Sequence, residues 1–462
     1  MSPITITRER RFLLYVFFLA LVVRIALMLV MRSYVFPTER GYWAYGYEAG
    51  RIAAALARGE GFASPFPDPS GPTSWLAPIY PALLAAIFRI FGIYTQASAI
   101  VIFALQSLCS ALTCLISYFI GDRIFASKKV GLLAAVLLAV YPTSIWFSIN
   151  YIWDDSLAAL CIAAVFLSCL YLQDKLTFRR AAITGLLMGV SLLVSPVVLA
   201  FYAVALPYVG WQARRSERPV IRPLLVAGFA MLLVLMPWLV RNYVTFGRLE
   251  FIKAGFGLEL RIGNNPQATG MFVQAHGGHL HPSLDPLEFS RYLQMGEVKY
   301  SQYCYEEAIS FIKANPTRFL HLSIKRIGYF WLGDWAEREA WLGNFGRRVP
   351  MALILKKLAY LGPLLFMVIG LFAAGRNRHN VSLAVLLFLT FPVVYYITHA
   401  LVKYRYYIDT IIVVIGAYGL CRFVAWAAGI LTGKRRAPEA RPPGETYHGN
   451  RGEGVDRSSS EP

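Results

Sequence analysis

The chain has 462 residues, of which 57% are hydrophobic and only 15% charged, with a formal net charge of +19. A soluble protein carries about a quarter charged residues, so this deficit, with a mean hydropathy of +0.51, excludes an ordinary water-soluble enzyme. The positive charge reads as lysine and arginine crowded into cytoplasmic loops. It does not read as a nucleic-acid surface, because no basic patch is joined to a recognisable binding module.

In chain order, the first apolar run (12–31) follows the basic "RERR" and lacks a small-residue cleavage site, which predicts a retained signal anchor. Residues 32–96 form an outer segment. Within it, Tyr47 to Leu56 reads as a helix beginning at Glu48, and 64–81 holds six prolines that stiffen a loop. The stretch 78–92 is too short to cross and contains Arg89, so it is expected to lie at the interface or re-enter. Further spans are predicted at 97–120, 130–150, 155–172, 181–210, 222–240, 351–374, 381–398 and 408–430. The run 181–210 is too long for one helix, and Pro196 is expected to divide it, giving about ten spans. With that count the six short basic connections all fall on the cytoplasmic side.

The chain therefore reads as an all-α polytopic membrane protein in four parts. An N-terminal transmembrane module (1–240) carries the candidate catalytic groups, and 241–350 is an external, mostly helical loop. Transmembrane helices follow (351–432), then a polar tail (433–462) with a disordered composition. In the large loop a helix is expected over 300–314, broken by Asn315–Pro316. The next stretch (317–335) has amphipathic character, with Arg318, Lys325 and Arg326 among aromatics, as for a helix on the membrane surface.

The chemistry centres on "YIWDDSLAAL", where Asp154 and Asp155 stand together at the outer end of a helix hairpin. Adjacent residues on a helix point about 100° apart. One carboxylate can face a cavity while the other caps the next helix near Ser156. Glu48 is a second acidic candidate, unless it simply pairs with Arg51 three residues on, and Glu39 is a third. The short turn "HALVKYRYY" (399–407) places Lys403 and Arg405 on the outer side, against the positive-inside pattern. Beside Tyr404, Tyr406 and Tyr407 these cations suit a phosphate at headgroup level, or else an interface anchor. Arg241 ends a span on the same side. His276, His279 and His281 have a spacing that permits zinc, with no carboxylate or cysteine in a recognised motif around them. Five of the six cysteines (Cys109, Cys114, Cys161, Cys169 and Cys421) lie in apolar runs, which indicates neither a disulfide framework nor a thiolate metal site.

Taken in order, "YEAGRIAAALARGEGFASPF…GPTSWLAPIYPALLAAIFRIFG", "WDD", "PWLVRNYVTFG…GNNP" and "KYRYYIDTIIVVIGAYG" resemble the GT-C membrane glycosyltransferases of family 39. That family includes protein O-mannosyltransferases and the aminoarabinose transferase of lipid A. The resemblance runs to about residue 430 as a series of modest motifs. It implies a GT-C fold and transfer of a sugar from a polyprenyl-phosphate donor to an envelope lipid, glycan or protein. It also implies an active site on the outer face of a bacterial cytoplasmic membrane. Family-like roles make Glu48 or Asp154 the base, Asp155 and Glu39 further acidic candidates, and Lys403, Arg405 and Arg241 the phosphate-binding cations. Family members commonly carry an adjacent Asp–Glu pair early in the first loop, where this chain has Glu39 and Glu48 apart, so the resemblance does not choose the base. The sequence assigns no particular cofactor and leaves a divalent cation at the two aspartates open. The alternative is a transporter or lipid-linked sugar flippase, which would more often show two related halves with interrupted helices. A non-catalytic assembly partner is a third reading.

Overall fold

The computed structural model describes residues 3–36, 44–67, 69–214, 220–275, 279–333, 349–375 and 378–431. Glu39, His276 and the tail beyond 431 lie outside the described residues. Contact clustering divides the chain into two units, Met1–Arg422 and Phe423–Pro462, and the site belongs to the first.

The described residues form helices joined by loops, with two isolated bridges, Ala63 to Pro72 and Met271 to Ala400. In order these are α1 (Pro3–Val30), α2 (Glu48–Arg58), α3 (Ile79–Phe91), α4 (Gln96–Phe125), α5 (Lys128–Ala139), α6 (Pro142–Asn150) and α7 (Asp155–Asp174). They continue with α8 (Phe178–Val194), α9 (Leu199–Arg214), α10 (Ile221–Phe246), α11 (Phe256–Gly263), α12 (Pro286–Met295), α13 (Glu297–Ala314) and α14 (Pro316–Leu332). The last four are α15 (Val349–Ala373), α16 (Arg378–Thr390), α17 (Val393–Ile397) and α18 (Tyr406–Leu431).

By length and composition, six helices among the described residues can cross a membrane, or seven if the bent pair α5–α6 counts as one span. Shorter apolar helices include α3, Lys357–Ala373 and Val381–Ile397. The protein is thus a helical multi-pass membrane protein. The nine apolar runs read from sequence, counted as about ten spans, are not equally long helices, and proline shapes two of them. The run 130–150 bends by 44° between α5 and α6, because Pro142 starts a new helix at its first turn. The run 181–210 does break at Pro196. Ser195 is extended there (φ −146°, ψ 101°), the conformation that a following proline imposes.

The bend exposes backbone that lipid cannot satisfy. Pro142 has no N–H for the Leu138 carbonyl four residues back. Arg24, fully buried in α1, fills the gap. Its guanidinium donates to Ala139 O at 2.9 Å and Leu138 O at 3.4 Å, and to Ser110 and Ser144 Oγ, both at 3.0 Å.

Outside the spans, the Pro-rich loop docks on the large loop through Phe66 and Trp75, which pack with Leu258, Ile262, Tyr292 and Tyr300. A buried carboxylate joins the same surfaces. Glu297 accepts from Thr73 Oγ1, from Ser74 N (2.7 Å) and Oγ (2.9 Å), and from Tyr292 Oη (3.1 Å). The break at Asn315–Pro316 separates α13 from α14 as read. The amphipathic reading of α14 holds for Leu320 and Ile324, each 60% exposed, but Arg326 corrects it. Arg326 is fully buried and donates to the Tyr396 and Ile397 carbonyls at 3.1 and 3.2 Å.

Candidate functional site

A cavity of about 440 Å³ forms where six elements meet. They are the start of α2, residues 76–81 at the entry of α3, the α6–α7 turn, the α8–α9 break, the segment 251–259 and the α17–α18 connection. Its charged and titratable wall residues include Glu48, Asp154, Lys253, Glu259, His399 and Lys403. The volume lies in the usual range for small-ligand sites.

Backbone sterics set the acidic side. Gly46 sits at φ +86°, and a Cβ there would lie 2.2 Å from the Ile152 carbonyl. Only glycine lets the α2 entry press against the α6–α7 turn in this way. Tyr47 then stacks on Trp153 with ring centroids 6.4 Å apart, and Glu48 and Asp154 come to one cavity. Glu48 does begin α2, and its carboxylate is taken up across the loops. Ser283 Oγ donates to it at 2.9 Å, and His281 Nε2 stands 3.6 Å away.

Asp154 occupies the cap position of α7, yet its side chain makes no cap hydrogen bond. Its backbone is already helical (φ −70°, ψ −4°), whereas a capping side chain needs an extended residue. Its Oδ1 instead accepts from Tyr407 Oη at 3.3 Å. Asp155, 1% exposed, does not line the cavity, and neither of its carboxylate oxygens has a hydrogen-bond partner among the described residues. The expected division into one cap and one cavity residue is therefore corrected. One aspartate faces the cavity, and the other is buried without capping anything.

Of the three expected phosphate-binding cations, the structure brings one to the cavity. Lys403 Nζ stands 3.5 Å above the centre of the Trp153 ring, whose far partner Tyr151 stacks at 4.6 Å. Arg405 is fully buried and committed elsewhere. Its Nε donates to Asp409 Oδ1 at 2.9 Å, and its Nη atoms donate to the Tyr360 carbonyl at 2.7 Å and the Trp331 carbonyl at 3.1 Å. The guanidinium also lies 3.2 Å from the centre of the Tyr360 ring, which leaves no face for a phosphate. Arg241 is similarly spent. It donates to the Thr73 carbonyl at 2.7 Å and the Phe62 carbonyl at 2.9 Å, tying the Pro-rich loop to the end of α10.

Four titratable residues not singled out for this site from the sequence complete the wall or support it: Lys253, Glu259, His281 and His399. His399 begins the "HALVKYRYY" turn and could have been weighed with Lys403. Lys253 and Glu259 carry no comparable signal, since their pairing depends on how the loop folds. Lys253 Nζ donates to Glu259 Oε1 at 3.1 Å. Burial works to raise the Glu259 carboxyl, but the charges of Lys253, His399 and His281 and the Lys253 hydrogen bond hold it down at about 2. Burial works to lower the Lys253 ammonium, yet Glu259, Glu48 and Asp154 keep it above its ordinary value. Burial pushes both His281 and His399 down, outweighing the nearby carboxylates. With the imidazoles neutral near pH 7, Lys253 is the cation that keeps Glu259 ionised.

Among the described residues no three metal-ligating side chains converge. Asp155 turns away from the cavity, and two lysines share it with the carboxylates. These residues do not fit a resident divalent cation.

No protein-family model and no curated protein matches the chain. Among solved structures it is similar to the Archaeoglobus fulgidus oligosaccharyltransferase in its apo form. The identity is 13% and the TM-score 0.49, over 94% of this chain and 53% of that one. The archaeal oligosaccharyltransferase AglB from Archaeoglobus fulgidus, in complex with an inhibitory peptide and a dolichol-phosphate, aligns at 12% identity and TM-score 0.47, over 96% and 53% of the chains. ArnT from Cupriavidus metallidurans bound to undecaprenyl phosphate aligns at 13% identity and TM-score 0.38, over 90% and 81%. The chain spans about half the length of the archaeal enzyme. At these values the likeness carries no weight for activity, which is drawn from the cavity itself.

Proposed function

We propose that the protein is a membrane glycosyltransferase that moves a sugar from a polyprenyl-phosphate donor to a hydroxyl acceptor at the outer face of a bacterial cytoplasmic membrane. One observation carries the reading. At the ends of apolar helices, a single cavity sets the carboxylates of Asp154 and Glu48 together with the Lys403 ammonium. Transfer from a lipid phosphate needs both signs of charge: a base for the acceptor and a cation for the phosphate that departs.

Asp154, held by one hydrogen bond, is the better placed base, since Glu48 already accepts from Ser283. In the step, the acceptor oxygen bonds to the anomeric carbon as its proton passes to Asp154. The bond from that carbon to the phosphate oxygen breaks, and its electron pair stays on the phosphate, facing Lys403 with Lys253 nearby. Glu48 and Glu259 add negative potential that favours the oxocarbenium-like sugar. The sequence resemblance supports the same direction of chemistry. An envelope lipid, glycan or protein would serve as acceptor.

The test is transfer of radiolabel from polyprenyl-phosphate sugars to membrane lipids and peptides in proteoliposomes, comparing wild type with Asp154→Asn. Label moved by wild type and lost in the variant supports the reading. Uptake or flipping of the donor without transfer would replace it with a transporter.

A further inference from the structure

A second polar chain runs through the cavity wall, Glu259–His399–Tyr404, and the mechanism above gives no role to His399 or Tyr404. His399 sits in the α17–α18 connection, and its backbone is clamped on both sides. The Ile397 carbonyl accepts from Asn264 Nδ2 at 2.8 Å, and Ala400 N donates to the Gly270 carbonyl at 3.0 Å. Gly263 packs so tightly here that a Cβ would lie 1.6 Å from the Thr398 carbonyl. The imidazole is 2% exposed and packs against Phe272, with ring centroids 5.5 Å apart. Its Nε2 lies 3.0 Å from Tyr404 Oη, and its Nδ1 lies 3.6 Å from Glu259 Oε2. Other charges acting on the ring are Lys253, on the segment before α11, and Arg326 of α14.

Nδ1 has no hydrogen-bond partner among the described residues, so the nearby Glu259 charge sets the tautomer, and the tautomer sets the direction of the one hydrogen bond, to Tyr404. A lone pair on Nδ1 would face the Glu259 carboxylate, whereas an N–H there is attracted to it. The neutral ring therefore carries its proton on Nδ1 and offers Nε2 as an acceptor. Tyr404 must then give its own proton to Nε2. Tyr404 lines the cavity, and its oxygen is left with lone pairs only. Tyr404 also stands beside the proposed phosphate cation, with Lys403 Nζ 5.8 Å from its ring centre, so a hydroxyl reaching it belongs to the donor half of the cavity.

We propose that Tyr404 Oη is a recognition point for a hydroxyl of the transferred sugar, which donates to it, and that His399 and Glu259 are positioning residues that hold Tyr404 in this polarity. The proposal rests on the glycosyltransferase reading for the identity of the ligand. Protonation of His399 would put N–H on both ring nitrogens and turn the Tyr404 proton toward the cavity, which reverses the contact.

Two measurements on the full chain in nanodiscs test it. The first is 15N NMR of histidine-labelled protein, with the His399 signal identified by its loss in His399→Asn. A neutral Nδ1–H ring in wild type is expected, with the other tautomer appearing in Glu259→Gln; an Nε2–H ring in wild type would overturn the proposal. The second is binding of farnesyl phosphate and of farnesyl-phosphate monosaccharides with their monodeoxy analogues, to wild type and Tyr404→Phe. The Phe ring retains the stack on Tyr395 at 4.1 Å. For one analogue, loss of the hydroxyl should weaken wild-type binding about fivefold to tenfold. That difference should vanish in Tyr404→Phe, while farnesyl phosphate alone binds both equally. Deoxy penalties that are the same in both proteins, or no sugar preference at all, would overturn the subsite. Hydroxyl-dependent binding without transfer would keep the subsite and remove the transferase reading.

Discussion

Lys403 holds its ammonium 3.5 Å above the Trp153 indole, and Trp153 is the residue before Asp154. One contact thus couples the cavity's cation to the turn that presents its carboxylate. If Lys403 meets the leaving phosphate, Lys403→Met should lower kcat/KM by about a hundredfold or more, the cost of removing one preorganised charge at a transition state. Trp153→Leu should lose part of that rate while Lys403 remains, because the ammonium is no longer held in place. Steady-state kinetics of both variants and their double mutant would measure the coupling; fully additive losses would mean that the stack does nothing for Lys403.

The adjacent aspartates should separate cleanly. Asp154→Asn is expected to cost about 10²-fold to 10⁴-fold in kcat with little change in the unfolding temperature. Asp155 is buried without a hydrogen-bond partner among the described residues, and a buried carboxylate in that state is a cost to the fold. Asp155→Asn should leave the thermal midpoint unchanged or raise it, read by scanning fluorimetry in detergent. A fall of several degrees would show that Asp155 holds an interaction of its own.

Glu297 gathers hydrogen bonds from Thr73, Ser74 and Tyr292. Glu297→Ala leaves those donors unmet, and about 3 kcal/mol of loss is expected by analogy with broken buried charged pairs. The damage should be local, with the Pro-rich loop cut first in limited proteolysis. Glu297→Gln, which keeps the shape and one acceptor, should fall in between.

Acid should weaken the cavity in two stages. His281 and His399 lie below their ordinary value in the folded protein. On acidification the unfolded chain takes up protons first, and stability declines as the pH drops below about 6.5. Glu259 titrates near 2 when folded. Its contribution is complete above its unfolded value of about 4.3 and is lost as the pH falls from there through about 2. Thermal midpoints across this range should show both stages, and Glu259→Gln should remove the lower one.

Much of this framework was readable from residue patterns. The helix starting at Glu48, the break at Pro196 and the break at Asn315–Pro316 rest on local rules of proline and helix chemistry, which tertiary packing did not override. Asp154 stands out as charge in an apolar stretch, Glu48 as the start of a helix in the outer segment, and Lys403 as an external cation against the positive-inside pattern. The same pattern points to Arg405, and the end of a span to Arg241, without revealing where their side chains turn. For Arg405 a cue existed: Asp409 follows at i,i+4 spacing, a sign that the charge is met by the first turn of the helix that follows it. Lys253 and Glu259 were out of reach, because their pairing depends on the fold of the segment leading into α11.

Arg24 has a consequence for biogenesis. Its carbonyl partner Ala139 is 115 residues further along the chain, beyond α4 and most of α5. An arginine at the middle of a nascent membrane helix costs about 2.5–3.5 kcal/mol on insertion scales. Until α5 and α6 emerge from the ribosome, α1 carries that charge without its partners Leu138, Ala139 and Ser144, with only Ala20 of its own helix and, once α4 is made, Ser110 available to it. Stable seating of α1 in lipid is therefore expected to follow the arrival of the kinked hairpin and not to precede it.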